Sequence, residues 1–237
     1  LGATFEGIKA GSCENSDCSI LSFHPVKHLT TGEGGAITTN SKEIYEKLLE
    51  LRMHGMNRTS FKNESMSKDL KGNMNPWYYE MHSLGYNYRI TDFQCALGLS
   101  QFKKLDSFIQ RRKEIAKNYD KAFLNSKIKP LYIFDDKSSY HLYVVKFDFS
   151  SISMSKAELF NQMREKNIGL QLHYIPINKQ PYYVSLGYGK ENTPVMEKYY
   201  EECFSLPMYP LLSDEEQQYI INNLFDILKE KNEICKL

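Results

Sequence analysis

At 237 residues, with 41% hydrophobic and 25% charged residues, the chain has the make-up of a globular protein able to bury one large or two small cores. A formal net charge of +1, with cations concentrated only at Arg111-Arg112-Lys113, excludes a nucleic-acid partner, which needs a basic face. No apolar run approaches the roughly 20 residues that span a bilayer, and no charged leader opens the chain, so the expectation is a cytoplasmic protein with no membrane partner.

Residues 1 to 18 read as a short extended segment and a polar loop, with Gly7, Gly11, Ser12, Asn15 and Ser16 as turn formers. Two buried strands, 19 to 23 and 35 to 39, are expected to flank a turn. The first breaks at Pro25, presents Lys27, and leads into Gly32, Gly34 and Gly35. Asn40, with Glu43 three residues on, predicts a helix cap, and Ile44, Leu48 and Leu51 mark the inward stripe. Residues 55 to 72 are polar and aperiodic and read as a loop. The aromatic run Trp77-Tyr78-Tyr79 suits a core anchor, a subunit contact or a sugar site.

Thr91 with Gln94 predicts the start of a long helix running from Asp92 to about Leu124. A domain boundary is placed inside it near Leu105, dividing the chain into 1–105 and 106–237. Lys103, Lys104, Arg111, Arg112 and Lys113 read as its solvated face. The second half alternates strands and helices. A strand is expected from Leu142 to Phe149, then a helix capped by Ser155 and Glu158 and ended by Gly169. Leu170 to Ile175 reads as a strand stopped by Pro176 and Pro181, and Pro194 opens a helix through Tyr199 and Tyr200. Ser213 with Glu216 starts the last helix, whose inner face is Ile221, Leu224, Phe225 and Leu228.

Cys13, Cys18, Cys95, Cys203 and Cys235 match no zinc spacing, so free thiols and no metal are expected. Lys27 has two readings: an amine held in a glycine-rich turn for covalent work on a carbonyl, or a solvated lysine beside that turn. Ser22, five residues earlier, offers a hydroxyl to a phosphate. Asn87 sits in Gly85-Tyr86-Asn87-Tyr88-Arg89, where a short amide either donates to a phosphate near a helix start or shapes an Asx turn. His173 at a strand end is either a structural hydrogen-bonding residue or a ligand contact. His24, beside Pro25, reads as a residue that shapes the lysine turn.

The segment Ser22-Phe23-His24-Pro25-Val26-Lys27, followed by Thr30-Thr31-Gly32-Glu33-Gly34-Gly35, resembles the cofactor-lysine signature of the DegT/DnrJ/EryC1/StrS family. The likeness continues through Pro76–Met81, Gly85–Arg89, Gln94–Gly98, Tyr140–Tyr143, His173–Pro176 and Ser205–Pro207, covering nearly the whole chain. It implies an α/β fold of the fold type I transferase class, with residues 1–105 as part of the large pyridoxal-phosphate-binding domain and 106–237 as the smaller α/β carboxy-terminal domain.

It further implies an aminotransferase that uses pyridoxal 5'-phosphate and L-glutamate to aminate a UDP-linked 4-keto-6-deoxy sugar, as in pseudaminic acid synthesis. Lys27 would be catalytic and cofactor-bound, and Ser22 would hold the cofactor. Asn87 would reach the site of the neighbouring subunit, so a homodimer with shared sites is expected. Gln171, Leu172, His173 and Tyr174 would contact the nucleotide sugar, with His141 nearby. Because the chain opens Leu1-Gly2-Ala3, the ring-binding residues of the family are expected upstream of it. That leaves a non-catalytic nucleotide-sugar-binding or dimerising module as an alternative. A sugar dehydratase is another, although the dehydratases of the family carry histidine where Lys27 stands.

Overall fold

The computed structural model describes residues 1–228, which divide into two compact units, the first Leu1–Leu105 and the second from Asp106 onward. In the first, β1 (Thr4–Phe5) and β2 (Ile8–Lys9) form a minimal hairpin. Strands β3 (Ser19–Ser22) and β4 (Gly35–Thr38) pair antiparallel, with Ile20 opposite Ile37 and Ser22 opposite Gly35. Full burial of these strands was expected, and the structure corrects it. The face carrying Leu21 and Thr38 is covered by the loop at Gly11–Cys13, where Thr38 Oγ1 donates to the Gly11 carbonyl at 2.7 Å. The opposite face leaves Ile20 78% exposed, because a two-stranded ribbon shields only the side on which other chain packs.

Helix α1 (Lys42–Leu51) is capped by Ser41, whose side chain accepts from the Ile44 amide, not by Asn40. Asn40 instead donates to the carbonyls of Ser12 and Cys13. The stretch expected to be a loop contains β5 (Met56–Asn57) and a one-turn helix, α2 (Glu64–Ser67), capped by Asn63. Strand β5 pairs with β6 (Glu80–Met81), closing residues 57 to 80 into an excursion. Within it Tyr78 packs edge-on against Phe61, while Trp77 is 74% exposed.

Thr91 and Gln94 form the expected capping box on α3 (Asp92–Phe102). The helix does not run on to Leu124: it stops at Phe102, and α4 (Leu105–Phe123) begins after Lys103 and Lys104. The second unit is built on the antiparallel sheet β7 (Lys129–Pro130), β8 (Tyr143–Lys146) and β9 (Cys203–Leu206), in that spatial order. Strand β8 is shorter than expected, since Asp148 caps a 3₁₀ turn at Phe149–Ser151. Ser155 and Glu158 cap α5 (Lys156–Glu165) as expected.

The end of α5 differs from expectation. Asn167, with φ +59°, takes the left-handed position, and its amide and that of Ile168 bond to Arg164 and Met163, so Gly169 is not the terminator. A short helix, α6 (Pro181–Ser185), precedes α7 (Pro194–Glu202), and α8 (Asp214–Leu228) closes the unit. The core joins Ile115, Tyr119 and Phe123 of α4 to Val145, Phe204, Leu159, Leu224 and Phe225. The cationic run on α4 is not a solvated face. Arg112 is buried and donates to three carbonyls, Arg111 binds Leu212 and Asp214, and Lys113 binds Asp136.

Among the described residues Cys13, Cys18, Cys95 and Cys203 are free thiols, and no cluster with metal-ligand composition occurs. Cys235 lies outside the described residues. No described helix is long and apolar enough to cross a membrane.

Candidate active site

Residues 23 to 34 form a loop closed at its base. The Phe23 amide donates to the Gly34 carbonyl at 2.9 Å, and the Phe23 carbonyl accepts from the Thr31 amide and the Thr30 hydroxyl. At the tip, the Lys27 amide donates to the His24 carbonyl at 2.9 Å, while the Val26 amide approaches His24 Nδ1 at 3.4 Å. His24 thus shapes the turn. Ser22 Oγ faces the His24 amide at 3.4 Å, so its hydroxyl and the lysine turn share one short stretch of backbone. Lys27 is half-buried, whereas His28, Leu29 and Thr31 are buried and anchor the loop from below.

Helix α3 braces this loop. Gln94 Nε2 donates to the Glu33 carbonyl at 2.8 Å, and a Cβ on Gly98 would stand 2.9 Å from the Thr31 methyl. Gln94 therefore serves both the helix cap and the lysine loop. Its second task was not legible in the sequence, because the cap alone accounted for its presence.

Asn87 is not at the helix start. It lies in an extended segment bridged to Met53, with the Tyr86 and Tyr88 amides donating to Leu51 and Arg52 carbonyls at 2.8 and 3.0 Å. Alternation along such a segment puts Tyr86 and Tyr88 on one face, where their rings stack at 5.0 Å, and Asn87 and Arg89 on the other. The tyrosines line an apolar hollow of about 910 Å³ that includes Ile20, Ile37, Leu48 and Phe102. Neither Lys27 nor Ser22 lines that hollow, and its aliphatic walls suit packing of apolar chain, not a charged phosphate.

In the second unit the expected strand Leu170–Ile175 is reduced to one antiparallel bridge, Gln171 to Ser205, made by two backbone hydrogen bonds of 3.2 and 2.7 Å. Two residues on, His173 Nδ1 lies 2.8 Å from Ser205 Oγ, and Tyr199 donates to the His173 carbonyl at 2.8 Å. The His173–Tyr174 peptide is cis, Tyr174 is exposed, and Leu172 is half-buried. His141 is held on a turn whose carbonyl accepts from Arg112 at 3.1 Å. Lys27, Ser22 and Asn87 belong to the first unit, and Gln171–Tyr174 to the second.

Residues 1–225 match the DegT/DnrJ/EryC1/StrS aminotransferase family. The chain belongs to that family. It is 37% identical over 232 residues to a UDP-4-amino-4,6-dideoxy-N-acetyl-beta-L-altrosamine transaminase of Campylobacter jejuni, an alignment spanning 97% of this chain and 57% of the relative. Among solved structures it resembles Helicobacter pylori PseC, an aminotransferase involved in the biosynthesis of pseudoaminic acid, with a TM-score of 0.83, 32% identity, and coverage of 97% and 57%. It also resembles the pyridoxal-phosphate form of Spr1654 from Streptococcus pneumoniae, with a TM-score of 0.81, 30% identity, and coverage of 97% and 55%. The chain spans little more than half the length of these relatives.

Aminotransferases of the DegT/DnrJ/EryC1/StrS family are pyridoxal-phosphate dependent, and their fold is the fold type I transferase. The residues present suit part of such a site. A half-buried primary amine on a braced loop, with a hydroxyl five residues earlier that faces the His24 amide of the same turn, suits an aldehyde bearing a phosphate.

Proposed function

We propose that this chain carries the lysine-bearing part of an aminotransferase that moves an amino group from L-glutamate to a UDP-linked 4-keto-6-deoxy sugar, the reaction type of pseudaminic acid precursor synthesis. The observation that carries the reading is Lys27 itself: half-buried, at the tip of a loop tied at its base by Phe23 and Gly34 and from the side by Gln94. A loop held this way fixes an amine in place, which a freely solvated lysine would not need.

In this reading residues 1–105 belong to the large cofactor-binding domain and 106–237 form the small domain. Lys27 Nζ would hold pyridoxal 5'-phosphate. Ser22, and Asn87 reaching from the partner in a cytoplasmic homodimer with shared sites, would anchor its phosphate or the nearby substrate. When bound, the cofactor supplies an aldehyde for the amino group and a ring that accepts the electron pair left on carbon. With the cofactor bound, Lys27 Nζ would act as general base and acid, carrying a proton between the reacting carbon of donor or sugar and the cofactor carbon beside it. Gln171, Leu172, His173 and Tyr174 position the nucleotide sugar. A sugar dehydratase is disfavoured because lysine, not histidine, stands at position 27.

The test is the product mass from L-glutamate and a panel of keto nucleotide sugars, with Lys27→Ala alongside. Amination of a UDP-4-keto-6-deoxy sugar, lost in the variant, is expected; undiminished amination by Lys27→Ala overturns the assignment. Titration of the 237-residue chain with pyridoxal phosphate separates it from a non-catalytic module. An absorbance band that requires Lys27 marks a cofactor-competent chain.

A further inference from the structure

The closing end of the lysine loop is held by a residue of another element. The carbonyl of Glu33 accepts from the Thr31 hydroxyl at 2.7 Å and from Gln94 Nε2 at 2.8 Å, which fills both of its lone pairs. The next residue, Gly34, has φ +148°, and its carbonyl receives the Phe23 amide. Gly35 then pairs with Ser22 in the β3–β4 ladder. The Glu33 peptide is therefore where the loop that carries Lys27 rejoins its strands. The bonds between Phe23, Thr31 and Gly34 are local in sequence, whereas Gln94 reaches Glu33 from 61 residues away.

The two ends of the Gln94 amide serve different partners. Oε1 accepts from the Thr91 amide and hydroxyl, each at 3.0 Å, as the returning half of the capping box. A backbone N–H only donates and a carbonyl only accepts, so these partners fix the amide with Nε2 towards Glu33. Helix and loop end meet at close range: a Cβ on Gly34 would stand 2.4 Å from Thr31 Oγ1, and one on Gly98, a turn further along α3, 2.9 Å from the Thr31 methyl. A second path leads from Glu33 to the loop tip. Its carboxylate lies 4.0 Å from His24 Nε2, while His24 Nδ1 faces the Val26 amide and the His24 carbonyl receives that of Lys27.

We infer that Gln94 is a positioning residue for Lys27: the N–H it gives to the Glu33 carbonyl fixes the loop end and thereby where the lysine amine stands. The inference rests on the transaminase reading only for the reaction that this placement serves.

Gln94→Glu and Gln94→Lys separate the two halves of the amide. Glutamate keeps the acceptor that completes the cap and, ionised, has no N–H for Glu33; lysine keeps a donor, one bond farther out, and loses the acceptor. In the 237-residue chain, hydrogen exchange of the Phe23 and Thr31 amides reads loop closure. Trace labelling with acetic anhydride, followed by mass spectrometry, reads the Lys27 amine against the exposed Lys129 of the second unit. Gln94→Glu is expected to speed exchange at both amides about tenfold and labelling of Lys27 about threefold, with Lys129 labelling and the thermal unfolding midpoint unchanged. Gln94→Lys should return both readouts towards the parent while lowering the unfolding midpoint, since a cation in the first turn opposes the helix dipole. A residue that served only the cap would show the reverse order. Pyridoxal phosphate adds a spectroscopic signature: the circular dichroism of an imine that requires Lys27 should weaken severalfold in Gln94→Glu and recover in Gln94→Lys. Parent-like labelling of Lys27 in Gln94→Glu overturns the inference, whatever the exchange rates, and so does labelling raised alike in both variants. Absence of an imine in the parent would count against cofactor binding by this chain and leave the labelling result to decide on Gln94, so the two readings fail separately.

Discussion

Gly55 and Gly85 meet backbone to backbone: a Cβ on Gly85 would stand 2.2 Å from the Gly55 nitrogen and 2.6 Å from the Leu51 carbonyl oxygen. Because those neighbours are main chain, they cannot swing aside. Gly85→Ala should therefore push residues 86 to 89 off the Met53 bridge and destabilise the first unit by about 1–3 kcal/mol, the usual cost of overpacking. Gly72→Ala is the comparison. Its φ of +84° imposes strain but nothing lies within 4 Å of the added carbon, so its cost should be about 1 kcal/mol. Urea unfolding of both variants, read against the parent, checks the order.

Glu80 clamps the 57–80 excursion from inside. Its carboxylate accepts from the Lys62 and Asn63 amides at 2.7 and 2.8 Å, from Tyr78 at 3.0 Å and pairs with His82. Desolvation raises its pKa, but the two amides, then His82 and Tyr78, outweigh it and hold the carboxyl down at about 2 from an ordinary 4.5. A depressed folded pKa means the clamp contributes fully above pH 4.5 and fades as pH falls towards 2. Trp77, the single tryptophan, sits on this excursion and reports it. Its fluorescence should shift across that acid window in the parent, and Glu80→Gln should show the shifted signal already at neutral pH. An identical acid titration in parent and variant would mean the clamp is not what acid releases.

Sequence made the capping boxes legible because each is a local event: Thr91 with Gln94, Ser155 with Glu158, Ser213 with Glu216 all need only four residues. The lysine loop was legible too, through Pro25 and its glycines. What escaped were arrangements decided by distant partners. Arg112 reads as surface in any helical wheel, yet the carbonyls that receive it lie 28, 29 and 96 residues away. Asn87 was misplaced because Thr91 four residues later suggested a helix start, while the bridge to Met53 depends on the glycines at 55 and 85. Asn167 outranked Gly169 as helix terminator since the helix ended two residues earlier than the glycine implied.

Arg112 gives a third prediction. It is 3% exposed and its Nη1 donates to the Tyr140, His141 and Met208 carbonyls at 3.2, 3.1 and 2.9 Å, tying two loops to α4. Burial pushes its pKa below the usual arginine range. Arg112→Ala strands three carbonyls and opens a cavity, so a loss of about 3–5 kcal/mol is expected. Arg112→Lys should recover little, because all three carbonyls are reached from the far nitrogen Nη1, and the shorter lysine side chain sets its ammonium short of that point. Chemical denaturation of the three proteins decides; a lysine variant as stable as the parent would show that charge alone suffices.

Ser205 separates support from contact at the proposed sugar segment. Its amide and carbonyl pair with Gln171 whatever its side chain, while its hydroxyl is the partner of His173 Nδ1 at 2.8 Å. Ser205→Ala therefore keeps the β9 bridge and frees only the imidazole, at a stability cost of about 1 kcal/mol. If His173 contacts the nucleotide sugar, loosening its ring should raise KM several-fold and leave kcat nearly unchanged, since binding before chemistry is what the ring serves. Ser205→Thr keeps a hydroxyl and should restore KM if the added methyl is accommodated. Steady-state kinetics with the keto sugar, paired with nitrogen NMR of the His173 ring, reads both effects. A ring whose NMR signals change while KM stays at the parent value would assign His173 to the scaffold.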